Sequence, residues 1–362
     1  MSESIRIAFF GSSLLSSYWN GAATYYRGLV RALHRRGHRV TFFEPDAFER
    51  QQWRDMDVPD WASVVVYPGT DAGAAQALEQ ARRADVVVKA SGLGVGDAFL
   101  EREVLALRSG ARQVIFWDVD APATLERVQN NADDPFRALI PRYDLVFTYG
   151  GGPRVVDAYR QLGARDCVPI YNALDPESHH PAAPRTRFAA DLGFLGNRLP
   201  DREARVHEFF FNAARQLPTR RFVLGGAGWN DPLPANVHWL GHVSTNDHNA
   251  FNCSARLVLN INRDSMARFG WSPPTRVFEA AGAGACLIVD RWDGIEAFLE
   301  PQREVLVASD GTDVAQFVDS IDVAHARRIG IAARARLLAQ HTYSQRAAQV
   351  ERCLQGRLLA AA

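Results

Sequence analysis

Two doubly wound α/β domains in tandem are what this sequence predicts, and three observations carry that expectation. The chain has 362 residues, too many for one ordinary domain and well suited to two. Its apolar segments are short runs of β-branched and aromatic residues with little alternation, the mark of parallel strands buried on both faces. The strand–loop–helix rhythm of the first half stops in a proline-rich segment near the middle and then starts again.

The first strand is expected at residues 5–10, ending at Gly11. Beyond a polar loop, Tyr26, Leu29, Val30 and Leu33 recur at helical spacing, and the helix should stop at Gly37. Further strands are expected at 39–43, 63–67, 85–89, 113–117 and 144–148, with helices at 74–83 and 97–109 between them. Residues 175–187 hold Pro176, Pro181, Pro184 and two histidines, and read as a linker between domains 1–175 and 188–340. Strands then follow at 191–195, 221–224, 237–240, 257–261, 286–289 and 304–307, with helices such as 202–216 and 275–283. The tail from Ile329 to Leu359 reads as two helices around His341-Thr342-Tyr343. In the second of them, Ala347, Val350, Leu354 and Leu358 recur at helical spacing, so one face needs an apolar partner.

Composition narrows the classes of function. Apolar residues make up 47% and charged residues 23%, an ordinary globular balance. Lys+Arg and Asp+Glu stand at 41 each, so the basic excess of a general nucleic-acid binder is missing. The four cysteines, Cys167, Cys253, Cys286 and Cys353, form no CxxC pair, and buried thiols in a reducing cytoplasm are the expectation. The opening Met1-Ser2-Glu3-Ser4 leads directly into a strand, which argues against a secretory leader. No apolar run approaches the ~20 residues of a membrane helix.

Three loops are placed to meet a ligand. The first joins the first strand to the first helix and holds Ser12, Ser13, Tyr18, Trp19, Asn20 and Gly21. Small residues let the backbone approach a phosphate, helix-start amides attract anions, and the aromatics can stack on a sugar ring. A serine-rich turn with a cap at Asn20 is the plainer alternative. The second, Ser91-Gly92-Leu93-Gly94-Val95-Gly96-Asp97, half-matches a dinucleotide fingerprint, but Asp97 stands where its third glycine belongs. A tight turn before a helix is the reading the residues favour. The third follows the strand at 257–261 and carries Arg263, Arg268 and the run Ser272-Pro273-Pro274-Thr275-Arg276-Val277-Phe278-Glu279. Prolines suit a first helical turn, Arg276 would lie near the positive helix end, and Glu279 can accept two ribose hydroxyls. The alternative is an Arg276–Glu279 surface pair one turn apart.

The stretch LVLNINRDSMARFGWSPPTRVFEAAGAGACLIV, residues 257–289, resembles the C-terminal half of group-one glycosyltransferases, most of all their spore-maturation-protein (CgeB-like) branch. DLGFLGN at 191–197, VHWLGHV at 237–243 and HTYSQR at 341–346 are similar to the same branch. Residues 7–44, FWDVDAP at 116–122 and YNALDP at 171–176 also resemble the superfamily. The resemblance implies a GT-B fold, two Rossmann-like domains with an interdomain cleft, whose last helix (341–362) packs back on the N-terminal domain. It implies a nucleotide-diphosphate-sugar donor held by the C-terminal domain and an acceptor held by the N-terminal one. It implies no metal and no cofactor beyond the co-substrate, because arginines and helix dipoles neutralise the departing diphosphate. Glu279 matches the glutamate that holds the ribose, Gly196 and Asn197 the loop facing the diphosphate, and Gly241 and His242 the loop that meets the base. Many group-one enzymes carry a sugar-contacting glutamate eight positions before Glu279, where this chain has Trp271.

Sugar transfer usually needs a group to deprotonate the acceptor. Asp118 and Asp120 follow the strand at 113–117 and are the candidates, with helix capping as the alternative. His238 and His242 are four apart at a strand end and His179-His180 sit in the expected linker, with no third ligand at zinc spacing. There is no G-x-S-x-G nucleophile elbow. A sugar-nucleotide epimerase or hydrolase, a nicotinamide-dependent oxidoreductase resting on Gly92–Gly96 and Asp118, and a non-catalytic carbohydrate-binding scaffold are the competing readings.

Overall fold

The computed structural model describes residues 4–18 and 20–361, with side chains followed through residue 355. The chain forms two compact units, Met1–Asn172 with Tyr343–Ala362, and Ala173–Thr342.

The first unit is built on a seven-stranded parallel sheet: β1 Arg6–Phe10, β2 Arg39–Asp46, β3 Ser63–Pro68, β4 Val86–Ala90, β5 Gln113–Asp118, β6 Leu145–Thr148 and β7 Cys167–Pro169, in the order β3-β2-β1-β4-β5-β6-β7. The runs read as strands are strands. Every residue of β4 and β5 is buried, as expected of strands covered on both faces. β7 has three residues, too few to leave a pattern, and is recognised only by its pairing with β6. The first helix, Ala23–Arg35, buries Tyr25, Tyr26, Leu29, Val30 and Leu33. Phe9 ties helix to sheet, stacked on Phe42 at 5.2 Å and edge-on to Tyr26 at 5.4 Å. The helix Asp71–Ala81 begins earlier than the apolar pattern suggests because Thr70 caps it, its hydroxyl accepting from the amide of Gly73.

The tail helix Tyr343–Ala361 belongs to this first unit. Ala347, Val350 and Leu354 are buried, while Leu358 lies outside the described side chains. Gly28 makes the close approach to the helix Ala23–Arg35 possible, because a Cβ there would lie 2.2 Å from the Tyr343 ring. The Arg346 guanidinium donates to the carbonyls of Tyr171 and Asn172 at 3.2 and 3.4 Å, and Gln113 donates to Leu354 at 3.3 Å.

The second unit repeats the plan with six parallel strands: β8 Ala190–Leu195, β9 Phe222–Gly225, β10 Val237–Trp239, β11 Ala255–Asn260, β12 Leu287–Asp290 and β13 Leu306–Ala308, in the order β10-β9-β8-β11-β12-β13. Leu192, Phe194, Phe210, Phe222, Leu259 and Ile288 are part of one core. The single helix expected at 202–216 is broken into Pro200–Val206, a wide π turn His207–Phe211, and Asn212–Gln216. Three successive phenylalanines cannot share one face of a regular α-helix, and in the widened turn Phe209, Phe210 and Phe211 are all buried.

Residues 175–187, expected to be a linker, lie on the second unit. The amide of Leu174 donates to His341 at 2.7 Å, Asn249 to Ser178 at 2.9 Å and the amide of Arg185 to Ser254 at 2.8 Å. Arg185 and Arg187 both pair with Asp247, and His179 is buried. Prolines forbid regular structure there, but they do not prevent side-chain packing. The chain passes back to the first unit at Tyr343.

In each sheet the strand order turns back between its first and fourth strands, β1 and β4 in one, β8 and β11 in the other. Loops leaving the carboxyl ends of those strands diverge and open a place for a ligand. They are residues 11–22 and 91–96 in the first unit, and 196–199 and 261–274 in the second.

Candidate functional site

In the second unit, the loop after β11 runs through the helix Asp264–Phe269 into Ser272, Pro273 and Pro274, and the helix Thr275–Gly282 follows. Thr275 opens that helix, Arg276 is in its first turn and Glu279 is one turn further, buried. Arg276 Nη1 lies 2.8 Å from Glu279 Oε2 and 3.2 Å from His248 Nδ1, and His179 Nε2 lies 3.9 Å from Glu279 Oε1. The pair considered as a surface contact is therefore part of a cluster in which Glu279 and His179 are buried and Arg276 and His248 half-buried. Burial works to raise the Glu279 pKa, but the neighbouring Arg276 charge, the strongest opposing influence, helps hold it below the ordinary carboxylate range. Burial and the Arg276 charge push His248 down to about 4, so its ring is neutral near pH 7.

Positive charge converges beside this cluster. Arg202 Nη2 donates to the carbonyl of Asn197 at 2.6 Å, and its guanidinium lies 5.7 Å from the Phe194 ring centre. Burial, and after it the charge of Arg276, lowers Arg202 to about 10, with Arg263 adding to the effect. Arg276 and Arg263 both oppose the Arg202 charge, only partly offset by Asp201 and Asp290, and an anion would relieve that field. Arg263 is exposed and paired with Asp201. Asn197 is exposed, and its Oδ1 accepts from the amide of Ala227 at 3.0 Å. Gly241 has φ +67 with open space where a Cβ would lie, its carbonyl accepts from the amide of Gly226 at 2.7 Å, and His242 beside it is exposed. Trp271 takes φ +48, unusual for an L-residue. Its amide donates to Asp293 at 2.6 Å, and its ring lies so close to Gly294 that a Cβ there would come within 2.3 Å. Asp290 braces the start of the loop, accepting from the amide of Asn262 at 3.0 Å and from Arg205 at 2.5 Å.

In the first unit the two candidate acids have different surroundings. Asp118 is fully buried: Oδ1 accepts from Ser91 at 2.7 Å, Thr124 at 3.0 Å and the amide of Asp120 at 3.0 Å, and Oδ2 from Tyr159 at 2.5 Å. Burial raises its pKa, and these donors pull against the shift. With both oxygens engaged and no solvent contact, it braces the loops after β4 and β5 and is not open to an acceptor. Asp120 is half-buried at the start of the helix Ala121–Asn130, its carbonyl accepting from Thr124.

The serine loop is held from below. Ser12 bonds Asn20 at 2.8 Å, and Asn20 Nδ2 donates to the carbonyls of Ser13 and Ser16 at 2.8 and 2.9 Å. Ser13 and the amide of Leu14 both donate to Glu44, at 3.1 and 2.6 Å. Ser12, Ser13 and Asn20 are thus buried and spent on loop geometry, and Gly21 is exposed with no contact near its would-be Cβ. Tyr18 is partly exposed and stacked on Trp53 at 5.5 Å, and Trp19 lies outside the described residues. The second glycine loop is pinned by Asp97, which accepts from the amides of Leu93 and Gly94 and from Lys89 at 2.6 Å. Lys89, the chain's single lysine, is wholly buried.

Glu44, Lys89, His179, Arg202 and His248 were not among the expected site residues. Their partners come from distant segments, and no local spacing marks them. Among the described residues, no group of three or more His, Cys, Asp and Glu side chains is gathered as a metal site requires, and no helix is long and apolar enough to cross a membrane.

The glycosyl transferase-like family model matches residues 202–352, which span β9 to β13 and the Arg276–Glu279 cluster. Among solved structures, a sucrose-phosphate synthase from Thermosynechococcus elongatus superposes with a TM-score of 0.71 at 14% identity, covering 99% of this chain and 100% of that one. The fold is the GT-B fold of glycosyltransferases. The Anabaena protein Alr3699/HepE, solved with UDP-glucose, aligns at a TM-score of 0.64 and 16% identity over 97% of this chain and all of its own. An α-glucosyltransferase solved with UDP and a 13-mer DNA aligns at a TM-score of 0.70 and 11% identity, covering 97% of this GT-B chain and 99% of that one. A comparison with curated protein sequences gave no match.

Proposed function

We propose that this protein is a glycosyltransferase that draws its sugar from a uridine-diphosphate donor held by the second unit, and that Arg202, Arg263 and Arg276 neutralise the diphosphate without a metal. The observation that carries the reading is the convergence of the three arginines at the switch point of β8 and β11, with ionised Glu279 beside them. A departing diphosphate gathers negative charge, and preorganised guanidinium groups stabilise it more in the transition state than in the ground state. Glu279 receives the ribose hydroxyls, exchanging its contact with Arg276 for them as the arginine turns to phosphate. Thr275 offers a hydroxyl and helix-start amides to the same anion. The loop at Asn197 faces the phosphates, and Gly241 and His242 meet the base. The solved HepE and α-glucosyltransferase complexes with UDP or UDP-glucose support this choice of donor.

Asp120 takes the acceptor proton in this reading, and Asp118 fixes the backbone that presents it. The sequence stretch 257–289 supports a place near the spore-maturation-protein branch. The absence of a disulfide among the described cysteines favours a reducing, cytoplasmic setting.

Thermal melting with UDP, UDP-glucose, ADP and NAD tests the donor. UDP and UDP-glucose at a hundred times their dissociation constants should stabilise the protein by about 2.7 kcal/mol. Stabilisation by NAD alone, or by no nucleoside diphosphate, contradicts the reading.

A further inference from the structure

A buried cation in the first unit has no counter-ion among the described residues. Arg50 is only 6% exposed. Its Nη1 donates to the carbonyls of Ser12 and Leu93 at 3.3 and 3.1 Å, and its Nε has no hydrogen-bond partner. No carboxylate among the described residues forms an ion pair with it. The two nearest by charge are already engaged, Glu44 by Ser13, Leu14 and Gln51, and Asp97 by Lys89, Leu93 and Gly94. Burial disfavours the Arg50 charge, its largest influence. A guanidinium placed this way, between the two switch-point loops, lacks the anion that normally accompanies a buried charge.

Above it the chain is strained and aromatic. Phe48 and Glu49 both adopt left-handed backbone, φ 56 and 57. Consecutive L-residues in that region are costly and cluster at ligand sites. The turn lays the Phe48 ring on Gly94, where a Cβ would come within 2.5 Å, and 5.0 Å from the Arg50 guanidinium, yet leaves Phe48 51% exposed. The amide of Trp53 donates to Glu49 at 3.1 Å, so one turn carries all three side chains. Trp53 is 55% exposed and stacked on Tyr18.

We propose that Arg50, Phe48 and Trp53 form the acceptor site, and that the acceptor is a carbohydrate ring bearing an anionic group, carboxylate or phosphate. The sugar ring lies on Trp53 and the anion meets the Arg50 guanidinium once Phe48 swings aside from its place over that group. The segment also carries Glu49, Asp55, Asp57 and Asp60 against Arg50 and Arg54, so it suits one anionic group and repels a polyanion. The term acceptor rests on the proposed transferase reading, but the binding itself needs no donor.

Ligand-observed NMR titration of the full chain with glucose, glucose 6-phosphate, glucuronate and inorganic phosphate tests this, with UDP titrated into the same samples. Glucose 6-phosphate and glucuronate should bind at least tenfold more tightly than glucose, and their relative strengths separate phosphate from carboxylate. Arg50→Met should erase the preference while UDP binding stays unchanged. Trp53→Ala, at an exposed position, should weaken all three sugars by a similar factor and keep their ratio. No preference for the anionic sugars, no binding of any of them, or a preference that survives Arg50→Met overturns the proposal. If Arg50→Met unfolds the first unit, the wild-type preference and Trp53→Ala decide. Failure of UDP alone counts against the donor reading and leaves this one standing.

Discussion

Glu279 is ionised in spite of burial chiefly because the Arg276 guanidinium lies beside it, and this decides what its removal does. Glu279→Ala should weaken UDP-sugar binding by about 1–3 kcal/mol, the cost of losing hydrogen bonds to a charged group. Calorimetry checks it, and unchanged affinity removes Glu279 from the donor site. His248 makes the same cluster sensitive to acid. Its folded pKa, about 4, lies below the ordinary 6.5, so the native state prefers the neutral ring. The unfolded chain therefore takes up a proton first as pH falls, and stability present above about 6.5 declines between 6.5 and 4. The depressed Glu279 carboxylate adds a loss in the same direction at the lower end. The His248 share is at most ~3 kcal/mol. Melting curves across that window should flatten for His248→Gln, and an unaltered slope would show that His248 does not govern the acid response. Arg276 and Glu279 could be singled out in the sequence mainly because residues 257–289 resemble the group-one glycosyltransferases, since their spacing alone also fits a surface pair. His179, His248 and Arg202 could not, because each reaches the cluster from another segment. Asp118 was visible as a strand-end acid, but the closing of Ser91, Thr124 and Tyr159 over it was not, since those contacts span 27, 6 and 41 residues.

Most elements can be read from the sequence because buried parallel strands are continuous apolar runs and need no partner to be recognised. The exceptions have local physical causes. β7 is too short to show a pattern, the helix at 200–216 widens to bury three phenylalanines in succession, and residues 175–187 fold against the second unit without forming regular structure. The tail helix is the element whose packing is most open to test. Gly28 admits the Tyr343 ring, and any side chain there must displace it. Gly28→Ala should destabilise the first unit by about 1–3 kcal/mol, the range for overpacking a filled contact. Truncation before Ser344 should do more, because it uncovers the face that Ala347, Val350 and Leu354 bury against. Hydrogen exchange in the helix Ala23–Arg35 separates this from a general loss of stability: faster exchange there is expected, and unchanged protection would mean the tail is dispensable to that unit.

At the scale of the whole molecule, two sheets of one topology carry different chemical equipment at their switch points. The second unit gathers arginines and an ionised glutamate, suited to a diphosphate and a ribose. The first holds its loops with Glu44, Asp97 and Asp118 and leaves Arg50 beneath exposed aromatics. The fold follows from runs and punctuation along the chain, whereas this division of labour depends on which distant side chains meet. That division predicts that the protein cleaves the bond between sugar and diphosphate with arginines in place of a metal. Phosphorus NMR of UDP-glucose incubated with the enzyme in excess chelator tests it most directly. Slow release of UDP that persists in chelator and falls in the Arg276→Ala variant is the predicted result. Release that stops in chelator and returns with added divalent cation, or that is indifferent to Arg276, would contradict it.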